Sequence, residues 1–212
     1  MPDRIEEMFE DAALVEKIKR RLPHLFHYAE RDSSRAGKVG MEVGSLRERI
    51  LVALLIHQFG RANVETGLPI TEHELDVKVC GEPLSIKTIT ARSERMSSVK
   101  AIWTVDATQA QKFVRDFKPS CPYLLAQIVW GSTGGLYCVP VATQQSVFEA
   151  LGKRGYFKLP KRGTNPRGVE ITADAMSRPA VHSLTKKIEI HWKRPVGDYD
   201  QYARWVEYWR LD

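Results

Sequence analysis

The stretch Glu74-Leu-Asp-Val-Lys-Val-Cys-Gly-Glu-Pro-Leu-Ser-Ile-Lys87 limits what this chain can fold into more than any other segment. Apolar and polar residues alternate on both sides of Gly81-Glu82, which is the period of a strand with one buried face. The pattern predicts two short strands joined by a tight turn centred on Gly81-Glu82. That register sets Asp76 opposite Lys87 and Lys78 opposite Ser85 on a polar face. Leu75, Val77, Val79, Leu84 and Ile86 share the apolar face. A slip of one residue would separate Asp76 from Lys87, because it turns every side chain over.

Upstream, Ser45-Leu-Arg-Glu48 matches a capping box. It predicts a buried, almost all-round apolar helix from near Ser45 to Phe59. Glu48 shares a helix face with Leu51, Val52, Leu55 and Phe59, which should pack on the sheet. Capping accounts for a glutamate at this position, but a carboxylate above an apolar face needs a partner, and a metal is one. Asp76 and Lys87 also read two ways. They are an exposed cross-strand ion pair worth about 0.2–1 kcal/mol, or part of a site where carboxylates hold a divalent cation near a lysine. Lys78 is the competing lysine. It lies two residues along the same strand as Asp76, roughly 7 Å away, whereas Lys87 is the cross-strand neighbour.

The rest of the chain is read more coarsely. Residues 3–21 have the spacing of an amphipathic helix with a basic end at Lys19-Arg20-Arg21, and Glu30 to Lys38 reads as a loop. Helices are expected over Ala107–Phe117, Thr143–Leu151, Thr172–Lys186 and Tyr199–Arg210. Strands are expected over Tyr123–Trp130, Leu136–Ala142 and Ile188–Trp192. This order predicts an α/β fold, a mixed central sheet flanked by helices. With 212 residues the chain is expected to be a single domain, an N-terminal helix and loop (1–40) leading into a core (41–142) and a basic, aromatic C-terminal part (143–212).

Composition narrows the function classes. No apolar run approaches the roughly 20 residues that cross a bilayer, and the N-terminus has no export signal, so a cytoplasmic protein without a membrane partner is expected. The three cysteines, Cys80, Cys121 and Cys138, lack metal-like spacing and read as reduced thiols. The net charge is +6, which permits a polyanionic partner without requiring one. Residues 150–169 contain Lys153, Arg154, Lys158, Lys161, Arg162 and Arg167 and no acidic residue. They read as a loop held against phosphates, or as a solvated basic face.

A helix-borne Glu48, then Asp76 on one strand and Lys87 on the next, resembles the PD-(D/E)XK nuclease superfamily. Leu-Ser-Ile-Lys-Thr following a Leu-Asp-Val strand is similar to type II restriction endonucleases. The spacing of Glu48, Asp76 and Lys87, with Met41 seven residues before the glutamate, resembles the ThaI family among them. The resemblance rests on residues 41–90. It implies a restriction-endonuclease-like core and a homodimer on palindromic double-stranded DNA, cutting CGCG to blunt ends with 5′-phosphates. Glu48, Asp76 and the main-chain carbonyl of Ile86 would hold Mg²⁺, and Lys87 would orient or help deprotonate the attacking water. Ser85 stands where the superfamily carries an acidic residue, so Glu48 is the expected second carboxylate.

Met41 would wedge into a CG step from the minor groove, although a methionine before a helix is ordinarily a core residue. Arg92, Ser93 and Arg95, just beyond the active strand, and Lys161, Arg162 and Arg167 are expected DNA contacts. Tyr202, Trp205, Tyr208 and Trp209 read as core or dimer interface before a base-stacking platform. Two other functions fit the same residues: a junction resolvase or repair nuclease on the same core, and a non-catalytic DNA-binding protein whose Asp76–Lys87 pair is only an ion pair.

Overall fold

The computed structural model describes residues 3–35, 38–39, 42–68, 75–93, 95–160, 168–197 and 199–211. In chain order the elements begin with α1 (Asp3–Glu7), α2 (Ala12–Asp32), β1 (Ser34–Arg35), β2 (Lys38–Val39) and α3 (Val43–Phe59). Then come β3 (Val64–Glu65), β4 (Val77–Val79), β5 (Glu82–Thr90), β6 (Val99–Ile102), α4 (Ala107–Asp116), β7 (Tyr123–Ile128) and β8 (Thr133–Val139). The last are α5 (Val141–Tyr156), β9 (Phe157–Lys158), β10 (Val169–Ile171), α6 (Ala173–Ala180), β11 (Lys186–His191) and α7 (Ala203–Trp209).

The central sheet has the order β11-β8-β7-β5-β4-β3. β5 and β7 are parallel and the other neighbours antiparallel, so the sheet is mixed. Parallel neighbours need a crossover, and β6 with α4 supplies it. One face of the sheet is covered by α2 and α3. There Leu14, Ile18, Leu22 and Phe26 meet Leu51, Leu55, Val77, Leu84 and Ile86. The other face carries Ile89, Leu125, Tyr137 and Val139 against Val147, Tyr156 and Met176. Every residue of β7 is buried, as a strand covered on both sides requires. A second, smaller sheet of β6, β10 and β9 lies beside it. Gly134 of β8 is needed for close packing, since a Cβ there would stand 2.8 Å from Trp192 Nε1 and 2.3 Å from the Gln127 carbonyl.

Several boundaries differ from the sequence reading. The first helix does not run over 3–21. It breaks after Glu7, restarts when the Asp11 carboxylate accepts from the Leu14 N–H (3.0 Å), and continues through Pro23 to Asp32. The basic triplet is not an end, because Leu22, Phe26 and Ala29 extend the same buried stripe. α3 begins at Val43, with Glu42 as its N-cap and no side-chain cap bond, so Ser45 and Glu48 form no capping box. Residues 172–186 are not all helix, since α6 stops at Ala180 and Lys186 already starts β11. The short strands β3, β6, β9 and β10 were missed. Pairs of two to four residues carry too little periodicity to read.

One buried polar cluster joins four of these regions. Glu30 of α2 accepts from Arg47 of α3 (2.5 Å), from Trp130 Nε1 in the β7–β8 turn (2.6 Å) and from Arg194 after β11 (3.1 Å). Next to it, Asp32 accepts from Tyr199 Oη (2.8 Å) and pairs with Arg204 (3.2 Å), while Tyr199 stacks on Tyr28. These contacts fasten the C-terminal segment to the end of α2. The aromatics at the start of and along α7 are not core: Tyr202, Trp205, Tyr208 and Trp209 are 52–90% exposed.

Candidate active site

The β4–β5 hairpin places the site, through a register different from the expected one. Val77 pairs with Leu84 and Val79 with Glu82, so the turn consists of Cys80 and Gly81. Both have positive φ, 52° and 84°, as a two-residue type I′ turn demands. Relative to the sequence reading the pairing has slipped by two residues. An even slip preserves the faces. Asp76 therefore lies beside Ser85 and diagonal to Lys87, still on the face opposite Leu84 and Ile86. Its carboxylate is 3.9 Å from Lys87 Nζ.

The hydrogen bonds explain why Asp76 holds that position. Its own N–H donates to the Leu84 carbonyl (3.2 Å), the last rung before the strands part. Its Oδ2 then accepts from Ser85 Oγ (3.0 Å) and from the Ile86 N–H (2.6 Å). All these donors converge on one oxygen, leaving Oδ1 with capacity for a ligand. Ser85 is 3% exposed, and its hydroxyl orients the Asp76 carboxylate. The Ser85 N–H points the other way, to the Pro122 carbonyl at the start of β7 (2.9 Å). Strand residues alternate between edges, and one residue's N–H and C=O leave on the same edge. The Ile86 carbonyl is therefore directed toward the Asp76 side.

Glu48 comes to this edge from the first turns of α3. It is half-buried, and its carboxyl is pushed up from the ordinary glutamate range, first by burial and then by repulsion from Asp76. Attraction to Lys87 opposes the rise. Both strand residues thus act on Glu48, although α3 covers the apolar face and they stand on the polar one. The meeting point is the rim where β4 has ended and β5 runs on. The Lys78 ammonium sits 3.6 Å from Glu65 of β3, on the far side of β4 from β5.

Among the described residues no group of three or more His, Cys, Asp or Glu side chains gathers as a metal site. Two carboxylates and a main-chain carbonyl are what this rim offers. Arg92, Ser93 and Arg95 are exposed in the segment leaving β5. Met41, Lys161, Arg162 and Arg167 lie outside the described residues. Of the other basic residues in that run, Lys158 pairs with Glu170 of β10 (3.3 Å), and Lys153 donates to the Arg115 carbonyl. Cys121 and Cys138 are buried thiols outside any disulfide, the latter pushed up to about 12 by burial, and Cys80 is half-buried.

Arg47 escaped the sequence reading. It had a visible signal: positions 47, 51 and 55 form one i, i+4 ladder, and they are the buried residues of α3. A charge on that ladder must find a buried partner.

Comparison with known proteins adds to this geometry. The family model of restriction endonuclease ThaI matches residues 8–211. A solved structure described as a restriction endonuclease in complex with substrate DNA superposes with a TM-score of 0.88 and is 50% identical, covering 98% of this chain and 99% of that one. No curated protein matches the chain.

Proposed function

The chain belongs to the ThaI restriction endonuclease family, and from that premise we propose that it is a Mg²⁺-dependent enzyme of the PD-(D/E)XK type. It hydrolyses one phosphodiester in each strand of a short palindromic DNA site. The observation that carries the metal requirement is geometric: Asp76, held through Oδ2 by Ser85 and the Ile86 N–H, keeps Oδ1 open at the rim where half-buried Glu48 also feels its charge. Two carboxylates forced together relax when a divalent cation joins them. The donors fit Mg²⁺, a hard cation that takes oxygen ligands: Asp76 Oδ1, the Glu48 carboxylate and the Ile86 carbonyl. What bound Mg²⁺ supplies is positive charge against the scissile phosphate.

The chain's own residues do the rest. Ser85 and the Ile86 N–H hold Asp76 in one orientation, so its free oxygen is presented without reorganisation. Lys87 is 18% exposed, enough for its ammonium to reach a water at the rim and orient it for in-line attack. Water adds to phosphorus as the bond to the 3′-oxygen breaks, leaving a 3′-hydroxyl and a 5′-phosphate. Arg92, Ser93, Arg95, Lys161, Arg162 and Arg167 contact the duplex, and Met41, two residues before α3, enters a CG step of the site CGCG. The chain acts as a homodimer, one active site per strand, and the exposed aromatic face of α7 supports a second copy as its cover.

Digestion of a plasmid of known sequence, with the ends mapped, tests this reading. Blunt cuts at CGCG carrying 5′-phosphates, abolished by chelator, are expected. Cutting that survives chelation, or that prefers four-way junctions, overturns it. Met41→Ala is expected to weaken binding to CGCG duplex more than to unrelated duplex; equal weakening rules out the wedge.

A further inference from the structure

The residue before Glu48 is an arginine that the hydrolytic chemistry does not use. Arg47 is 4% exposed, and its guanidinium donates to two places at once. One is Glu30 Oε1 (2.5 Å) and the other Thr90 Oγ1 (2.8 Å). Thr90 is the last residue of β5, three positions beyond Lys87. A single side chain therefore connects the helical turn that bears Glu48 with the strand that bears Lys87. Alternation puts Thr90 on the α3 face of β5 and Lys87 on the opposite face. The tie and the site thus sit back to back on the same strand.

Stability alone is a poor reason for this arrangement. A buried ion pair is often replaced by apolar residues of similar volume without loss. Here the guanidinium even keeps its Nε buried and without a hydrogen-bond partner among the described residues. What a fork-shaped, multidentate donor gives that an apolar side chain cannot is direction. Glu30 fixes one end of the fork: it is 7% exposed and is itself held by Trp130 and Arg194. The other end then sets how α3 sits along β5.

We infer that Arg47 is a positioning residue, and that the Glu30–Arg47–Thr90 chain sets the Glu48 carboxylate against the Asp76–Lys87 pair. This rests on the metal-dependent reading above. Without the tie the turn of α3 that bears Glu48 shifts along β5 and the two carboxylates no longer converge on one cation. DNA binding without metal is untouched, because none of the three residues is among the proposed DNA contacts.

Arg47→Met alone leaves Glu30 buried with less compensation, so two other variants carry the test. Thr90→Val removes only the acceptor on β5, and Glu30→Met/Arg47→Met removes both charges together. Mn²⁺ affinity is measured by calorimetry on the full chain without DNA, alongside thermal melting, metal-free DNA affinity and cleavage rate against Mg²⁺ concentration. Outer-shell partners of metal ligands are worth about 10–100-fold in affinity. A loss on the order of tenfold is expected for Thr90→Val and more for the double variant. The Mg²⁺ concentration at half-maximal rate should rise in step, with metal-free DNA affinity unchanged. If the double variant does not fold, Thr90→Val decides alone. Folded variants that bind Mn²⁺ as tightly as the parent overturn the inference and leave the metal-dependent reading standing. A parent protein that binds no Mn²⁺ overturns both.

Discussion

Two clusters in this molecule contain the same chemical types, carboxylates beside cationic side chains, and behave oppositely. Around Glu30 one carboxylate receives two guanidinium groups and an indole N–H at 2.5–3.1 Å, and it is almost fully buried. At the hairpin rim two carboxylates share one lysine, the closest approach is 3.9 Å, and Asp76 is 41% exposed. Negative charge is saturated in the first cluster and left in excess in the second. A saturated cluster inside a fold has one arrangement and serves to hold elements together. A cluster with excess negative charge and open access has affinity to offer a cation.

The contrast predicts opposite consequences for the two clusters. Removing a rim group should remove activity and spare the fold. Asp76→Ala or Lys87→Ala is expected to lower the cleavage rate by about 10³-fold or more, some 4 kcal/mol of barrier, with melting unchanged. A folded Lys87→Ala enzyme that still cuts at the parental rate would show the lysine to be an ordinary ion-pair partner. Removing one member of the buried cluster should first of all cost stability. Arg47→Met is expected to lower unfolding stability by about 3 kcal/mol, the lower end of the range for a broken buried pair. Trp130 and Arg194 still partner Glu30, which keeps the loss at that end. Denaturant melts read this, and a loss below about 1 kcal/mol would mean the cluster is not holding the fold.

A smaller effect follows from the raised Glu48 carboxyl. In the metal-free protein the folded state binds this proton more tightly than the unfolded chain does. The stability it contributes is complete below the ordinary glutamate range, near pH 4, and is lost as pH rises through the folded value. Glu48→Gln should therefore raise the melting temperature at pH 7–8 and give no gain below about pH 4. Equal gains at both pH values would exclude titration of Glu48 as the cause. The smallest effect belongs to Lys78. Its pair with Glu65 has both side chains more than a third exposed, so Lys78→Ala is expected to cost less than about 1 kcal/mol and to leave cutting unchanged. Loss of cutting in that variant would make Lys78 the working lysine.

Much of the rim was legible in the residues themselves. Alternation sorted Asp76 and Lys87 from Val77, Val79, Leu84 and Ile86, and the tertiary fold keeps that sorting. The register was not legible, because the turn uses Cys80 at positive φ, a conformation that side-chain pattern does not announce for cysteine. The expected pairing was out by two residues and harmless; one residue would have dismantled the pair. The start of α3 was misread for a related reason: Ser45 and Glu48 have the spacing of a cap, but the helix had already begun at Val43. That leaves the Glu48 carboxylate without a capping role.

What the chain alone determines here is periodic and local: which face a strand residue takes, which helix stripe is buried, and that a charge on such a stripe needs a partner. Choosing the partner belongs to the folded molecule. Glu30 and Arg47 lie on different helices, Trp130 and Arg194 far along the chain, and Thr90 at the end of a strand. Contacts between residues so far apart in sequence carry no period, so only packing the layers brings them within hydrogen-bond reach. The same packing sets Glu48 against two strand residues that the sequence could only put side by side.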